Sequence, residues 1–495
     1  MNLYAFLADR FGSRPDHVAL RVPGGAEWTY ANLDQRAAQY AAVLRDHGVQ
    51  PGDRVVVQVP KSLENVALYL GALRAGAVFV TLNTAYTPTE VGYFLDDATP
   101  QLVVSTPDAV DTLPSTQAGV LTLDANGRGS ACDAADAATP MDEIVTRAHD
   151  DPATMLYTSG TTGRSKGAVQ SHQALTSNGL ALHDIWGFEG DDVLLHILPI
   201  FHVHGLFVAL HCVFMSASTA IFLPRFDVDD ILGQLPESTA MMGVPAHYSR
   251  LLADDRFDPA ACGSVRLFTS GSAPMTETVH QEFEQRTGQR IVERYGMTEA
   301  GIITSNPYDG DRIAGTVGYP LPGFELRVCD DDGTEVAQGE TGTVEVRGPG
   351  LFSGYHNKPD KTAEAYHPGG WFITGDVGSV AADGRLTLEG RQSDMIISGG
   401  LNVYPKEIEL VLDEAPGVEE SAVVGLPHPD FGEAVAAFIV GDAASEALDA
   451  ALGDELASFK RPKLYVTVDE LPRNAMGKVQ KHLLRTEHAG HFTDG

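Results

Sequence analysis

The sequence predicts an α/β protein with a large N-terminal domain of α/β layers, a small β-rich unit closing it, and a small α+β C-terminal domain. Three observations predict this. Strand-like apolar runs alternate with helical patterns through most of the first 390 residues, which is the signature of layered sheets with largely parallel strands. After about Gly315 the texture changes to short strands with hairpin punctuation. From Ser393 onward, a final stretch carries its own helix and strands. The expected boundaries are 1–392 for the first domain, with its β-rich unit at about 315–392, and 393–495 for the second. A chain of 495 residues has ample length for a large buried core.

The elements follow in order. RVVVQV (Arg54–Val59) reads as a strand, Leu63–Ala75 as an amphipathic helix, VFVTL (Val78–Leu82) and QLVVS (Gln101–Ser105) as further strands. Ser130–Thr146, rich in Ala and Asp, reads as a surface connection. Val193–Pro224 contains no Asp, Glu, Lys or Arg, but Pro199, Gly205, four His and several Ser/Thr interrupt it. It reads as strand, turn, buried helix and the strand Thr219–Leu223, and not as a membrane span. FELRVCDDDGTEV, TGTVEVRG and GRLTLEG supply the β-rich unit. Pro405–Ala415 reads as a helix, and Ser421–Gly425 and Val435–Val440 as strands.

Charge excludes some function classes. Against 34 Lys and Arg stand 67 Asp and Glu, a formal net charge of −33. Such a field repels nucleic acid and anionic membrane, and reads as an acidic, solubilising surface. Any site for an anion must therefore carry its own local positive charge. The four cysteines, Cys132, Cys212, Cys262 and Cys329, have neither metal-ligand spacing nor a disulfide framework. With no basic, apolar leader in MNLYAFLADRFGSRPDH, the expectation is a soluble, cytoplasmic protein with reduced thiols.

The strongest chemical signal is YTSGTTGRSKG (Tyr157–Gly167). Gly160, Gly163 and Gly167 let the backbone turn tightly and aim N–H groups at one anion. The hydroxyls of Thr158, Ser159, Thr161 and Thr162 add donors, and Lys166 adds charge. This is a phosphate cradle in composition, and it departs from the Walker A pattern because Lys166 follows Ser165.

YTSGTTGRSKG resembles the phosphate-loop signature of the adenylate-forming superfamily, which includes acyl-CoA synthetases, peptide-synthetase adenylation domains and luciferases. Further segments arrive in that superfamily's order: LPIFHVHG (Leu198–Gly205), ERYGMTE (Glu293–Glu299), GYHNKPDKT (Gly354–Thr362), WFITGD (Trp371–Asp376), GRQSDMIISGGLNVYPKEIE (Gly390–Glu409) and PRNAMGKVQK (Pro472–Lys481). The resemblance covers essentially the whole chain. Within the superfamily, LNTAYTPTEVGYF, GVPAHYSRLL, SGSAP and SNPYDGDR most resemble malonyl-CoA synthetases.

The resemblance implies ATP and coenzyme A as substrates and Mg²⁺ as cofactor. Tyr295 offers a flat face for adenine, Glu299 with Thr158 a place for Mg²⁺, Thr298 a phosphate contact, and Glu293 joins the nucleotide site. Asp376 suits the ribose hydroxyls, and Arg391 resembles the superfamily's ribose- and phosphate-contacting arginine. His202 falls at the acyl site, with His204 left structural; an H-x-H pair alone would invite zinc, but no third ligand has suitable spacing. Lys478 occupies the position of the catalytic lysine, able to bridge carboxylate and α-phosphate. The small second domain is then mobile, with its hinge at Ser393, where relatives commonly carry Asp or Lys, and Gly399 and Gly400 help form a CoA channel.

Malonate requires a short pocket with a cation for its distal carboxylate, since an unpaired buried charge is prohibitive. Arg250, one turn into the helix after GVP, occupies the arginine position of the malonyl-CoA synthetase pattern; a salt bridge to Asp254 or Asp255 is its structural alternative. Ser270 and Ser272 are expected to line the same pocket. The implied function is a malonate–CoA ligase acting through malonyl-adenylate, without nucleic-acid or membrane partners, and with Lys478 open to a lysine acetyltransferase and deacetylase. Its rivals are a ligase for methylmalonate or an aryl acid, a carrier-protein-loading enzyme, and a nucleotide sensor that has lost turnover.

Overall fold

Short runs of β-branched and other apolar residues form the parallel centres of two sheets, each strand covered on both faces and therefore uniformly apolar. The computed structural model describes residues 1–158, 165–330, 332–398, 401–428, 431–456, 458, 460–474 and 477–492. Among them, one seven-stranded sheet runs in the order Gly354–Tyr355, Lys166–Ser171, Pro152–Thr158, Val78–Thr81, Arg54–Gln58, Leu102–Ser105 and Gly119–Thr122. Its five strands from Pro152–Thr158 outward are mutually parallel, and Lys166–Ser171 folds back antiparallel to Pro152–Thr158. The phosphate loop is therefore the hairpin connection at one end of that pair.

A nine-stranded sheet carries the second half of the site. Val193–His196, Thr219–Phe222, Ala240–Gly243, Leu267–Ser270 and Val292–Met297 lie parallel in its middle, so their C-terminal ends open on one side. Helices Tyr30–Asp46 and Leu63–Arg74 pack closely because Gly71 faces the first of them: a Cβ there would stand 2.6 Å from Tyr40 Cβ. One apolar cluster spans the helices and both sheets.

The antiparallel strands Glu325–Cys329, Gly342–Arg347, Trp371–Val380 and Leu386–Arg391 form the expected β-rich layer. It is stitched to its neighbours, since Tyr319–Pro320 edges the nine-stranded sheet and Gly354–Tyr355 the seven-stranded one. The last sheet, with Val418–His428 and Gly432–Gly441 at its heart, has an apolar cluster on each face. The molecule is thus mixed α/β, with a large N-terminal part and a small C-terminal part.

One expectation changes. The Ala/Asp-rich stretch after Ser130 is not merely a surface connection: Ser130–Ala137 is helical, and Ala131 and Ala135, spaced four apart, are buried. Small side chains at that spacing make a flush face against Tyr30–Asp46, locked by an Arg36–Asp136 ion pair at 2.7 Å. Val193–Pro224 has the expected order, with a π-helical turn at His204–Ala209 before the helix Leu210–Ser216. Among the described residues, no helix is long and apolar enough to cross a membrane, and all four cysteines are free thiols.

Candidate active site

The strands flanking the phosphate loop bring Thr158 and Lys166 opposite each other, paired in register, with Thr158 Oγ1 donating to Lys166 O at 3.4 Å. Both feet of the loop are anchored: Tyr157 donates to Asp97 at 2.9 Å and Tyr93 to Ser165 O at 2.6 Å. Ser159, Gly160, Thr161, Thr162 and Gly163 lie outside the described residues, as do Gly399 and Gly400. Lys166 Nζ sits 4.2 Å from the ring centroid of Tyr355, whose hydroxyl donates to Glu299 Oε1 at 2.9 Å. Glu299 is buried, and burial pushes its carboxyl up. The strand Val292–Met297 thus delivers Glu299 to within one side chain of Lys166.

Alternation along that strand sorts its residues. Glu293 and Tyr295 share one face. The Tyr295 hydroxyl donates to Asp376 Oδ2, while Asp376 Oδ1 accepts from Arg391 Nε at 2.9 Å across the register pair Asp376–Arg391. Glu293 lies apart from them, held by His280 Nδ1 at 3.1 Å and the Gly315 N–H at 3.3 Å. Thr298 stands in the following turn, its carbonyl accepting from Gln170 Nε2.

Lys478 comes from the C-terminal part. Its N–H donates to Asn474 Oδ1 at 3.0 Å, and an ideal Cβ on the adjoining Gly477 would lie 3.7 Å from Ala246 Cβ. The turn therefore abuts the start of the helix Pro245–Leu252. Lys478 is an exposed residue, yet crowding of its ammonium by protein, then the nearby Arg391, hold it below its ordinary value, against the pull of Asp376 and Asp394. The backbone of Ser393 lies in the short 3-10 turn Gln392–Asp394, between the last strand of the β-rich layer and the first of the C-terminal sheet.

The opposite face of Val292–Met297 holds a residue for which sequence reasoning assigned no role. Arg294 is buried at 4 % exposure, and its Nε and Nη2 have no hydrogen-bond partner among the described residues. It lies against Gly271, where any side chain would overlap the guanidinium. Burial pulls the group down to about 9, so it remains a cation at neutral pH. Around it stand His202 and His204. Burial and Arg294 push His202 down to about 4, and the same causes hold His204 well below its ordinary value.

His202 Nδ1 accepts the His204 N–H at 3.1 Å. His204 Nδ1 meets Ser272 Oγ at 3.3 Å, and its Nε2 lacks a partner among the described residues, as does Ser270 Oγ. Ser272 is held at φ 69°, uncommon for a residue with a side chain. His204, expected to be structural, therefore contacts Ser272; it opens the π-helical turn, where Gly205 packs so tightly on the Pro199 carbonyl that no side chain fits. Arg250 is exposed, its Cζ 4.5 Å from the Phe226 ring centroid. The salt-bridge alternative for it is absent among the described residues: Asp254 pairs with Arg256 at 2.6 Å and Asp255 with Arg286 at 3.6 Å.

A phosphate loop, a buried acid beside its lysine, and an aspartate–arginine pair converge where three sheets meet. The chain belongs to the AMP-binding enzyme family, whose profile matches residues 7–356, and the profile of the AMP-binding enzyme C-terminal domain matches residues 407–478. Within that family it is an acyl-CoA ligase, and ATP and coenzyme A fit it as co-substrates. Malonate–CoA ligase from Arabidopsis thaliana is 35% identical over 526 residues, covering 95% of this chain and 86% of that one. The crystal structure of ATP-bound MatB from Rhodopseudomonas palustris is similar at TM-score 0.97 and 47% identity, covering 99% of each chain. Apo MatB from the same organism, at the same identity and coverage, gives a TM-score of 0.85.

Proposed function

We propose that this acyl-CoA ligase activates malonate. One observation carries the reading: Arg294 is a buried arginine with no acid partner among the described residues, beside the neutral histidines His202 and His204 and against Gly271, which lies between Ser270 and Ser272. A buried cation left unpaired is costly unless the ligand brings the opposite charge. A planar guanidinium with Nε and Nη2 unpartnered among the described residues matches a carboxylate, and in a protein of net charge −33 it supplies the local attraction a dianion needs. Arg250, at the mouth, guides the acid inward or holds its outer carboxylate.

In the first half-reaction, a malonate oxygen attacks the α-phosphorus of ATP and the bond to pyrophosphate breaks. Lys478 bridges the attacking carboxylate and α-phosphate, Lys166 with Thr158, Ser159, Gly160, Thr161, Thr162 and Gly163 holds the β- and γ-phosphates, and Thr298 contacts phosphate. Tyr295 and Glu293 flank the base site, and Asp376 and Arg391 take the ribose. His202 guards carboxylate entry beside Ser270 and Ser272. Glu299 fits Mg²⁺: it is a buried carboxylate with no cationic partner among the described residues. Bound there through Glu299, Thr158 and phosphate oxygens, the ion would neutralise developing charge.

In the second half-reaction, the CoA sulfur attacks the acyl carbon, AMP leaves with the bonding electrons, and the thiol proton passes to solvent. For this the 393–495 domain swings about Ser393, withdraws Lys478 and brings Gly399 and Gly400 to a CoA channel. The higher similarity to ATP-bound than to apo MatB supports an adenylation-ready arrangement here. Free thiols fit a cytoplasmic setting, and Lys478, an exposed residue, is open to acetylation.

The test is pyrophosphate release with malonate, methylmalonate, acetate, butyrate and benzoate, each with and without CoA. Malonate should give the highest kcat/KM, with thioester formed only when CoA is present. A preference for benzoate or butyrate would overturn the malonate reading while leaving the ligase class intact.

A further inference from the structure

The segment Gly354–Thr362 has no part in the chemistry above, yet it pairs with one strand that flanks the phosphate loop and reaches the other through Asp97. Ser353 N–H donates to Val169 O and His356 N–H to Gly167 O, each at 2.8 Å, so Tyr355 is zipped beside Ala168. Gly167 sits tightly between the two neighbours: a Cβ there would stand 2.7 Å from Met155 Sδ on one strand and 3.4 Å from His356 Cβ on the other side. Gly354 stands at φ 133°, where a Cβ would meet Thr362 Cγ2 at 2.9 Å. Thr362 Oγ1 accepts the Tyr355 N–H at 2.9 Å and donates to Lys358 O at 3.0 Å. Lys358 Nζ in turn reaches Asp97 at 3.0 Å, the same carboxylate that accepts from Tyr157. The segment is a brace whose spacing fixes the loop's two feet.

Tyr355 is the side chain of this brace that touches Lys166 and Glu299. It hydrogen-bonds Glu299 Oε1 at 2.9 Å, and no other side chain among the described residues does so. Its ring carries Lys166 Nζ at 4.2 Å and packs edge-on against Phe352 at 4.8 Å. Packing alone would not require a hydroxyl: Phe352 and Phe372 in the same aromatic cluster are phenylalanines. A hydroxyl at a buried carboxylate fixes the carboxylate's orientation, and an aromatic face holds an ammonium loosely enough to release it.

We propose that Tyr355 is a positioning residue for adenylation: its hydroxyl sets Glu299 to receive the divalent cation of the nucleotide, and its ring stations Lys166 beside the phosphate loop until a triphosphate draws it away. The inference rests on the assignment of Glu299 and Lys166 to metal and phosphate, and not on which acid is activated.

The test is a Mn²⁺ titration followed by electron paramagnetic resonance, on the full enzyme with ATP and no acid, so that nothing turns over. Y355F should weaken Mn²⁺ binding by roughly ten- to hundredfold, in keeping with the loss of one hydrogen bond to a charged group. It should leave metal-free ATP binding unchanged, because the ring remains over Lys166. Y355L should weaken both. A Y355F enzyme that binds Mn²⁺ as tightly as the parent overturns the proposal. E299Q, run alongside, separates the readings: weakened metal binding in E299Q with none in Y355F discards the tyrosine alone, whereas no effect in either discards the metal assignment with it. Melting temperatures establish that each variant is folded.

Discussion

In the proposed reading, a single guanidinium sets which acid the enzyme prefers. Arg294 is buried with two donor nitrogens lacking partners, so the folded enzyme stores an electrostatic cost that an incoming carboxylate relieves. Arg294→Met should therefore raise the melting temperature while lowering kcat/KM for malonate by at least about 30-fold, from a lost pair worth about 2–5 kcal/mol. A destabilised Arg294→Met enzyme would mean the arginine has a structural partner. Arg250→Ala, at an exposed position, should raise malonate KM less than Arg294→Met does, with ATP KM unchanged in both. The reverse ranking would move the anchor to Arg250.

At the scale of elements, loops and turns aim what the sheets carry. Gly354→Ala places a side chain at φ 133° against Thr362, so it should cost about 1–3 kcal/mol and lower the melting temperature measurably; an unchanged transition would contradict the brace. Ser393→Pro should slow thioester formation from supplied malonyl-adenylate more than it slows pyrophosphate release, because proline fixes φ near −65° at the proposed pivot. Equal rates for the parent and Ser393→Pro in both steps would move the hinge elsewhere. Much of this level was legible in the sequence. VVV and VFVT runs announce buried parallel strands, and YTSGTTGRSKG announces the connection between the antiparallel strands Pro152–Thr158 and Lys166–Ser171. Registers across long separations were not legible: nothing local in Gly354–Tyr355 says that it pairs with Lys166–Ser171. Arg294 went unassigned because a motif gives order but not facing. Alternation puts it opposite Tyr295, yet only the neighbouring strand Leu267–Ser270 and the turn at His204 make that face the acid pocket. The helix at Ser130 was hidden because Ala and Asp at a solvent boundary carry too little apolar contrast.

Across the whole molecule, the proposed cycle has the C-terminal part bring a cation to the junction of the large sheets and then withdraw it. Lys478 must be charged to bridge two anions, and crowding of its ammonium by protein, with Arg391, lowers its pKa. A lowered value means the charge is lost at lower pH than for an ordinary lysine, so pyrophosphate release should decline on the alkaline side before the ordinary range near 10.5. Thioester formation from preformed malonyl-adenylate should lack that decline. Lys478→Arg should remove the alkaline limb at a reduced rate, and a limb that persists in that variant would assign it to another group.

The account stands most directly on charge recognition at Arg294. The decisive measurement is the ratio of kcat/KM for malonate to that for butyrate, in the parent enzyme and in Arg294→Met, by pyrophosphate release at saturating ATP. The account predicts a ratio strongly favouring malonate in the parent, falling toward unity or inverting in Arg294→Met as the uncharged acid gains an apolar wall. A ratio that the substitution leaves unchanged would contradict it.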